Sequence, residues 1–342
     1  MSRSRWIGTW WSRGWITLAS TVFLLSATTA GAVVLNPGDI LVADPDALGG
    51  GGAIIRVNPN TGLQTIVSSG GYFTDPYCLA LESSGAILVG DFGPGGGTSA
   101  AIIRVDPISG SQSILTSGGN LSGPFGIMVS AAGDVFVAAD GSLQVLRVDA
   151  VTGAQSIVSS GGHIFNPRGI TMDANGQLLV AEADDSTVPG SVIRIDPLTG
   201  AQTVVSSGGA FEDPTGIALD ENGDIVVADN SFLGTGAGAA VIRVDPATGA
   251  QIVISAGGNF FTPGGLAFQA NGQIVVADSN AFGGGGGVIR VDPLTGTQMI
   301  VSSGGSFVNP SGVAVIIPEP GALLLFASGL LTLAQRRVLR LG

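Results

Sequence analysis

The stretch that decides the fold runs from Pro214 to Gly258 and reads PTGIALDENGDIVVADNSFLGTGAGAAVIRVDPATGAQIVISAGG. It contains four short runs rich in β-branched residues, each the length of a β-strand: Gly216–Leu219, Ile225–Ala228, Val241–Val244 and Ile252–Ile254. The segments between them are rich in turn residues, since Asn222-Gly223 and Asp245–Gly249 both suit tight hairpin turns. The stretch therefore predicts a four-stranded antiparallel meander.

The same unit recurs along the chain. One Arg lies in each predicted third strand, at intervals of 43 to 49 residues: Arg56, Arg104, Arg147, Arg194, Arg243 and Arg290. Every predicted fourth strand ends in a Gly-Gly pair, and a proline follows the second glycine by five residues. Six repeats of four strands predict an all-β, six-bladed β-propeller with antiparallel blades, because radial closure leaves only short, protected strand edges.

The repeats are out of phase with the ends of the chain. The first unit begins with a second strand at Ile40, and the last unit ends with a lone first strand, Gly312–Ile316. Together these two pieces make one complete blade. We therefore expect the C-terminal strand to complete the N-terminal blade and close the ring without a disulfide, since Cys78 is the only cysteine.

The first 32 residues have the features of a secretory signal peptide. Arg3, Arg5 and Arg13 precede an apolar segment, Trp15–Ala27, and the small residues Ala30-Gly31-Ala32 suit cleavage. The alternative is a retained membrane anchor. We expect cleavage, so that residues 1–32 are the signal peptide and residues 33–317 form the propeller.

Residues 318–342 form a further distinct segment. Pro318-Glu319-Pro320 precedes an apolar run, Gly321–Ala334, and a tail with three Arg. This order resembles the PEP-CTERM sorting signal of Gram-negative bacteria. The resemblance implies export, a precursor anchored by the C-terminal helix, and cleavage by an exosortase-type protease near Pro318, Glu319 and Pro320. It also implies a destination in the cell envelope or extracellular matrix, often with exopolysaccharide. A plain C-terminal anchor is the alternative.

The blade consensus also resembles a known group. Its recurring Pro-x-Gly-Ile-Ala-Leu-Asp, Asn-Gly-Asp-Ile-Val-Val-Ala-Asp and Ile-Arg-Val-Asp elements are similar to NHL-type propellers and to the wider group that includes the SMP-30/gluconolactonase fold. The resemblance covers roughly Pro37 to Ile316. It implies architecture rather than activity, because propellers host many unrelated functions. For an SMP-30-like enzyme it would imply a central divalent metal, with Glu182, Asp229 and Asn230 as candidate ligands.

Charge and composition exclude several classes of function. The formal net charge is −12, and residues 33–317 carry seven Arg against 24 Asp and Glu. Such a surface repels phosphate backbones, so nucleic acid is not expected as a partner. His163 is the only histidine, and the chain has no lysine and no G-x-S-x-G motif. We therefore predict no catalytic residues of the common hydrolase types.

Loop lengths distinguish the two ends of the ring. The second-to-third and fourth-to-first connections are long and open on one face, which we call the loop-rich face; the other connections form the tight-turn face. On the loop-rich face, the residue after each repeated proline varies in type: Tyr77, Phe125, Arg168, Thr215, Gly264 and Ser311. We predict a ligand-binding site at the channel mouth through Tyr77, Phe125, Arg168 and Thr215, with Glu182. The alternative is an unconstrained, solvated position.

Acidic residues end most of the second strands: Asp44, Asp91, Glu182, Asp229 and Asp278. One interpretation is local, with each carboxylate accepting loop N–H groups or pairing with an Arg of the third strand. The other is a ring that collects cations, in which Asp44, Asp91, Asp229 and Asp278 bind Ca²⁺ or another divalent cation.

Three functions follow from these observations. The first is an exported binding module for a glycan or an envelope protein, the second a metal-dependent SMP-30/gluconolactonase-like hydrolase or lyase, and the third a purely structural matrix protein.

Overall fold

The computed structural model describes residues 33–93, 99–183, 189–230 and 238–317. The expected signal peptide and the sorting segment with Pro318, Glu319 and Pro320 lie outside these ranges. In the described part of the chain, no helix is both long and apolar enough to cross a membrane.

Within these ranges, 24 strands form six four-stranded antiparallel sheets. In chain order the strands are β1 Ile40–Asp44, β2 Ala53–Val57, β3 Gln64–Ser69, β4 Pro76–Leu81, β5 Ile87–Asp91, β6 Ala101–Val105, β7 Gln112–Ser117, β8 Pro124–Val129, β9 Val135–Ala139, β10 Gln144–Val148, β11 Gln155–Ser160, β12 Pro167–Met172, β13 Leu178–Glu182, β14 Ser191–Ile195, β15 Gln202–Ser207, β16 Pro214–Leu219, β17 Ile225–Asp229, β18 Ala240–Val244, β19 Gln251–Ala256, β20 Pro263–Phe268, β21 Ile274–Asp278, β22 Gly287–Val291, β23 Gln298–Ser303 and β24 Gly312–Val315. Short helical turns at Ala47–Gly50, Asp140–Ser142 and Ala281–Gly284 lie in loops.

The six sheets are the blades of the predicted propeller. Blade 1 contains β24, β1, β2 and β3, in that order from the channel outward. Blades 2 to 6 follow the chain, four strands at a time: β4–β7, β8–β11, β12–β15, β16–β19 and β20–β23. The inner strands contact one another in a closed cycle, which includes β20 with β24 and β24 with β4. The predicted fold class is confirmed.

Closure through the C-terminal strand is also confirmed. β24 pairs with β1 in antiparallel register, from Ile40 opposite Val315 to Ala43 opposite Gly312. Beyond the strand, the Gly38 N–H donates to the carbonyl of Ile316 at 2.7 Å. Apolar side chains of blade 1 pack against those of blade 6 on one side and blade 2 on the other. The ring is therefore held shut by a complete strand and two packed interfaces.

The core lies between neighbouring blades. The second strand of every blade is buried at all five positions, because it has a strand on either side and a blade against each face. This explains their continuous Val, Ile, Leu and Ala composition. The outer strands are more exposed, and each has a register shift that interrupts its pairing. Such bulges protect edge strands from pairing with other chains.

A glutamine at the start of each outer strand joins that blade to the preceding one. Gln64 shows the pattern at the closure: its Nε2 donates to Ser302 Oγ at 3.0 Å and to the Gly304 carbonyl at 2.9 Å, and its Oε1 accepts the Ser306 N–H at 2.7 Å. In the other five blades the same three bonds are made by Gln112, Gln155, Gln202, Gln251 and Gln298. For Gln155, the hydroxyl partner is Thr116 instead of a serine. This clamp was not predicted from the sequence, because each glutamine binds residues of a different repeat.

The third-strand Arg residues have structural roles at the tight-turn face. Arg56 forms a two-point ion pair with Asp39, at 2.6 and 3.1 Å. Arg104 pairs with Glu82 and also donates to the Ala150 carbonyl of the next blade at 2.7 Å. Arg290 similarly reaches the Pro59 carbonyl at 2.8 Å. Arg104 and Arg290 therefore help to join neighbouring blades, whereas Arg56 pairs within blade 1.

Candidate channel-mouth site

The structure brings three of the predicted site residues together at the loop-rich mouth of the channel. The rings of Tyr77 and Phe125 meet edge to face, with 4.6 Å between their centroids. The Arg168 guanidinium carbon lies 3.9 Å from the Phe125 ring centre, which is a close cation–π contact. They are the second residues of the inner strands of blades 2, 3 and 4, so one side of the mouth carries all three.

A fourth member, Phe92, was missed in the sequence. Its ring stacks on Tyr77 with centroids 4.7 Å apart and planes 12° from parallel, and it also contacts Phe125 at 4.9 Å. It directly follows Asp91 at the end of β5. The residue after the second strand varies in type among the blades, as the residue after the proline does. This variation could have identified Phe92 as a candidate site residue. We call Tyr77, Phe92, Phe125 and Arg168 the aromatic–arginine cluster.

Arg168 is held in place by the loop before its own strand. Its Nε donates to Asn166 Oδ1 at 3.0 Å. Burial raises the pKa of Tyr77, Asp140 and Glu182, and the positive charge of Arg168 partly opposes this increase in all three. Burial dominates at Tyr77 and raises its phenol pKa to about 12, so the hydroxyl is a neutral donor.

In the described part of the chain, the opposite side of the mouth carries no comparable group. The Thr215 hydroxyl lies 2.8 Å from the Pro263 carbonyl, and the Ser311 hydroxyl donates to the Tyr77 carbonyl at 2.8 Å. A Cβ added at Gly264 would lie 2.6 Å from the Ser311 carbonyl oxygen. The structure therefore does not bring Thr215 into the aromatic–arginine cluster, and its role in ligand binding stays a prediction.

Below the mouth, the inner strands surround a small channel. Its cavity is about 90 Å³ and is lined mainly by apolar side chains and glycines. Tyr77, Phe125 and Thr215 also line it. This volume admits a few waters or one small substituent. A larger ligand would have to sit on the mouth with only one group entering the channel.

The strand-end acids mostly hold the loops of their own blades. Asp91 accepts the N–H groups of Thr74 at 2.9 Å, Asp75 at 3.1 Å and Gly93 at 2.8 Å. Pairs of N–H groups from the equivalent loops bind Asp44, Asp229 and Asp278. This agrees with the local interpretation through loop N–H groups. The third-strand Arg residues pair elsewhere, with residues at the tight-turn face.

The structure offers little to assemble a metal centre from these acids. Among the described residues, no three His, Cys, Asp or Glu side chains are grouped so that they could hold a metal ion. The strand-end acids belong to separate blades. Cation binding by Asp44, Asp91, Asp229 and Asp278 stays a prediction.

Glu182 differs from the other strand-end acids. Its Oε2 accepts the N–H groups of Phe165 at 3.0 Å and Asn166 at 2.9 Å, but its buried Oε1 has no hydrogen-bond partner in the described part of the chain. Only 2% of the residue is exposed. Burial, with a smaller contribution from the charge of Asp140, raises its pKa to about 7.

Asp140 is a second carboxyl group near the cluster. It follows β9, where blade 3 has Ala139 in place of a strand-end acid. Burial raises its pKa, and the charge of Arg168 partly opposes this effect. Neither Asp140 oxygen forms a hydrogen bond or ion pair with the residues that the structure describes. The mouth between blades 3 and 4 therefore combines two incompletely bonded carboxyl groups with one Arg.

Comparisons with known proteins agree with the architecture. The family model described as NHL repeat matches residues 211–231, which contain β16 and β17. No curated protein matches the chain. A chain of a crystal structure of a nidogen/laminin complex matches with a TM-score of 0.64 and 14% identity, over 82% of this chain and 98% of that one. TolB from Acinetobacter baumannii matches with a TM-score of 0.63 and 17% identity, over 82% of this chain and 67% of the TolB chain.

At these identities the likeness to solved structures shows the fold alone. The chain is a six-bladed β-propeller in which residues 211–231 match the NHL repeat model.

Proposed function

We propose that this protein is a non-enzymatic binding module of the cell envelope or extracellular matrix, and that its ligand is a glycan bound on the loop-rich face. The aromatic–arginine cluster is the observation that carries this proposal. It gathers three aromatic rings and a guanidinium on one side of the channel mouth. Aromatic faces pack on the apolar faces of sugars, and Arg and carboxyl groups bind their hydroxyls.

The electrostatics of the ring favour a ligand that is not a polyanion. Residues 33–317 carry an excess of acids, and the mouth itself holds Asp140 and Glu182 near Arg168. A free anionic polymer would be repelled over several ångströms of approach. An uncharged sugar chain, or an anionic one bridged by Ca²⁺, meets no such barrier.

The location is part of the same proposal. Support comes from the sequence of the two ends, with an export signal at residues 1–32 and the Pro318, Glu319 and Pro320 motif before an apolar run and an Arg tail. Intact-mass measurement on envelope material should show a start near Val33 and no tryptophan, because all four Trp precede Ala32. Matrix-released protein that still contains residues 321–342 would contradict sorting by an exosortase-type protease.

A glycan array followed by calorimetry tests the binding site. We expect Tyr77→Ala and Arg168→Ala each to weaken binding of the captured glycan by more than about 1 kcal/mol, as central anchors do. Arg56→Ala and Arg290→Ala are matched controls, because these side chains bind Asp39 and the Pro59 carbonyl at the tight-turn face. They should lower stability without changing affinity.

Unchanged affinity in Tyr77→Ala and Arg168→Ala, with folding intact by melting, would contradict the site. Equal losses in the two control variants would show that general destabilisation explains the effect.

A further inference from the structure

We infer that the glycan is recognised through a primary ammonium group, as in an unacetylated amino sugar, which binds between Asp140 and Glu182 beside Arg168. This inference rests on the proposed function and assigns a chemical class to its ligand. The observation behind it is that three carboxyl oxygens in this part of the mouth accept no hydrogen bond from the residues that the structure describes.

Three oxygen atoms are available there. Glu182 is buried, and two loop N–H groups occupy its Oε2 while its Oε1 has no partner among the described residues. The register places Glu182 directly opposite Pro167, the residue before Arg168. The two Asp140 oxygens also form no hydrogen bond within the described ranges. Asp140 is half-buried, whereas the Glu182 Oε1 atom is fully buried without a donor. Such burial is costly, so a donor supplied by the ligand would stabilise this oxygen.

The donor number and the charge both fit an ammonium. A primary ammonium has three N–H donors and no acceptor, which matches three free carboxylate oxygens. When both carboxyl groups are ionised, Asp140, Glu182 and Arg168 together carry one net negative charge. One bound ammonium neutralises it, and charge-assisted bonds of this kind are stronger than those of a neutral hydroxyl.

Arg168 does not already fill this role. Its Nε is bonded to Asn166 and its guanidinium lies over the Phe125 ring. No ion pair within 4.0 Å joins it to Asp140 or Glu182 among the described residues. Its position against Phe125 leaves the carboxyl groups for the ligand, while the rings offer packing surface to the sugar.

Three disaccharides with the same β-1,4-linked backbone test the inference. They are the disaccharides of glucosamine, N-acetylglucosamine and glucose, which differ only in the ammonium, acetamide or hydroxyl group at C2. Near neutral pH, we expect the glucosamine disaccharide to bind at least about tenfold more tightly than the other two, as charged hydrogen bonds imply. Chelation of divalent cations should leave this preference unchanged.

Variants then locate the ammonium. Asp140→Asn and Glu182→Gln should each remove most of the preference for the glucosamine disaccharide, so that the three disaccharides then bind with similar affinity. Asp106→Asn is the matched control, since it removes the same charge on the tight-turn face. The equivalent position in blade 1 is Asn58, whose Oδ1 accepts the N–H groups of Asn60 and Thr61 in the same turn. The fold therefore accepts this change.

The outcomes separate the two proposals. Equal binding of the three disaccharides, lost in Tyr77→Ala, would overturn the ammonium inference and leave glycan binding intact. A glucosamine preference that disappears in Asp140→Asn but survives in Tyr77→Ala and Arg168→Ala would support the ammonium and contradict the aromatic–arginine cluster. Loss of all binding on chelation would point to a bound cation instead and overturn the inference.

Discussion

The pair Cys78 and Gly90 provides a direct test of how tightly the inner strands pack. Cys78 occupies the position where the other inner strands have glycine, and Gly90 stands opposite it where the other second strands have alanine. The ordinary pairing is seen at Gly126 with Ala138 and at Gly216 with Ala228. Each of these paired positions therefore has room for one side chain. In blade 2 that side chain comes from the inner strand, whereas in the other blades it comes from the second strand.

Gly90→Ala would place two side chains in that space. The new Cβ would lie 2.5 Å from Cys78 Sγ and 3.1 Å from the Cβ and carbonyl oxygen of Pro124. Overpacking of this kind in a core costs about 1–3 kcal/mol. Cys78→Gly in the same chain removes the clash and restores the pair of the other blades. We expect the double variant to recover most of the lost stability, with a coupling energy of roughly 1–3 kcal/mol.

Urea denaturation of the four proteins of this double-mutant cycle measures the coupling. Gly51→Ala is the control for an added methyl group, because Gly51 has φ of −88° and no atom within 4 Å of an added Cβ. Gly90→Ala with unchanged stability would refute the packing argument. A loss of equal size in the Cys78→Gly background would show that its cause lies elsewhere than the thiol.

Three further predictions concern Glu182, the glutamine clamp at Gln64 and the closing strand β24. Glu182 has a pKa raised from 4.5 to about 7, so folding favours its protonated form and its burial costs stability as pH rises through 7. Glu182→Gln keeps an oxygen for the two loop N–H groups and removes the charge. It should therefore raise the free energy of unfolding by about 1–3 kcal/mol at pH 8 and give no gain below pH 4.5. An equal gain at both pH values would show that the charge of Glu182 is not the cause. Gln64→Ala leaves the Ser306 N–H and the Gly304 carbonyl without Gln64 as a partner, and should lower unfolding free energy by about 1–3 kcal/mol in urea, whereas Gln64→Glu, which keeps an acceptor, should lose less. Protein ending at Pro310 lacks β24 and should melt well below the full chain; an unchanged melting curve would contradict ring closure.

The fold could be predicted because its determinants repeat. Six copies of the pattern revealed the blades, and the phase of the repeats revealed the closure at β24. Strand bounds were less accurate at the ends. The inner strand of blade 5 begins at Pro214 rather than Gly216, because a register shift lets the proline pair with Asp229 before regular pairing resumes. The outer strand runs from Gln251 to Ala256, because its polar ends bind the neighbouring blade rather than a local apolar face.

The site could be predicted only in part. Variation after the proline pointed to Tyr77, Phe125 and Arg168, which do meet. Phe92 was missed, although the position after the second strand varies among the blades in the same way. The glutamine clamps are repeated, but their partners lie about 40 residues away in the chain, where local patterns give no information. The unpaired oxygen of Glu182 results from burial by residues that are distant in the chain. Its position at the end of a second strand does not distinguish it from the other strand-end acids.

Hydrogen–deuterium exchange with and without the glycan captured by the array tests the central claim most directly. We expect slower exchange of amides in the loops before β4, β8 and β12, close to Tyr77, Phe125 and Arg168, and little change in the tight turns. Protection confined to the tight-turn face, or to blades 5 and 6, would contradict a ligand site at this channel mouth.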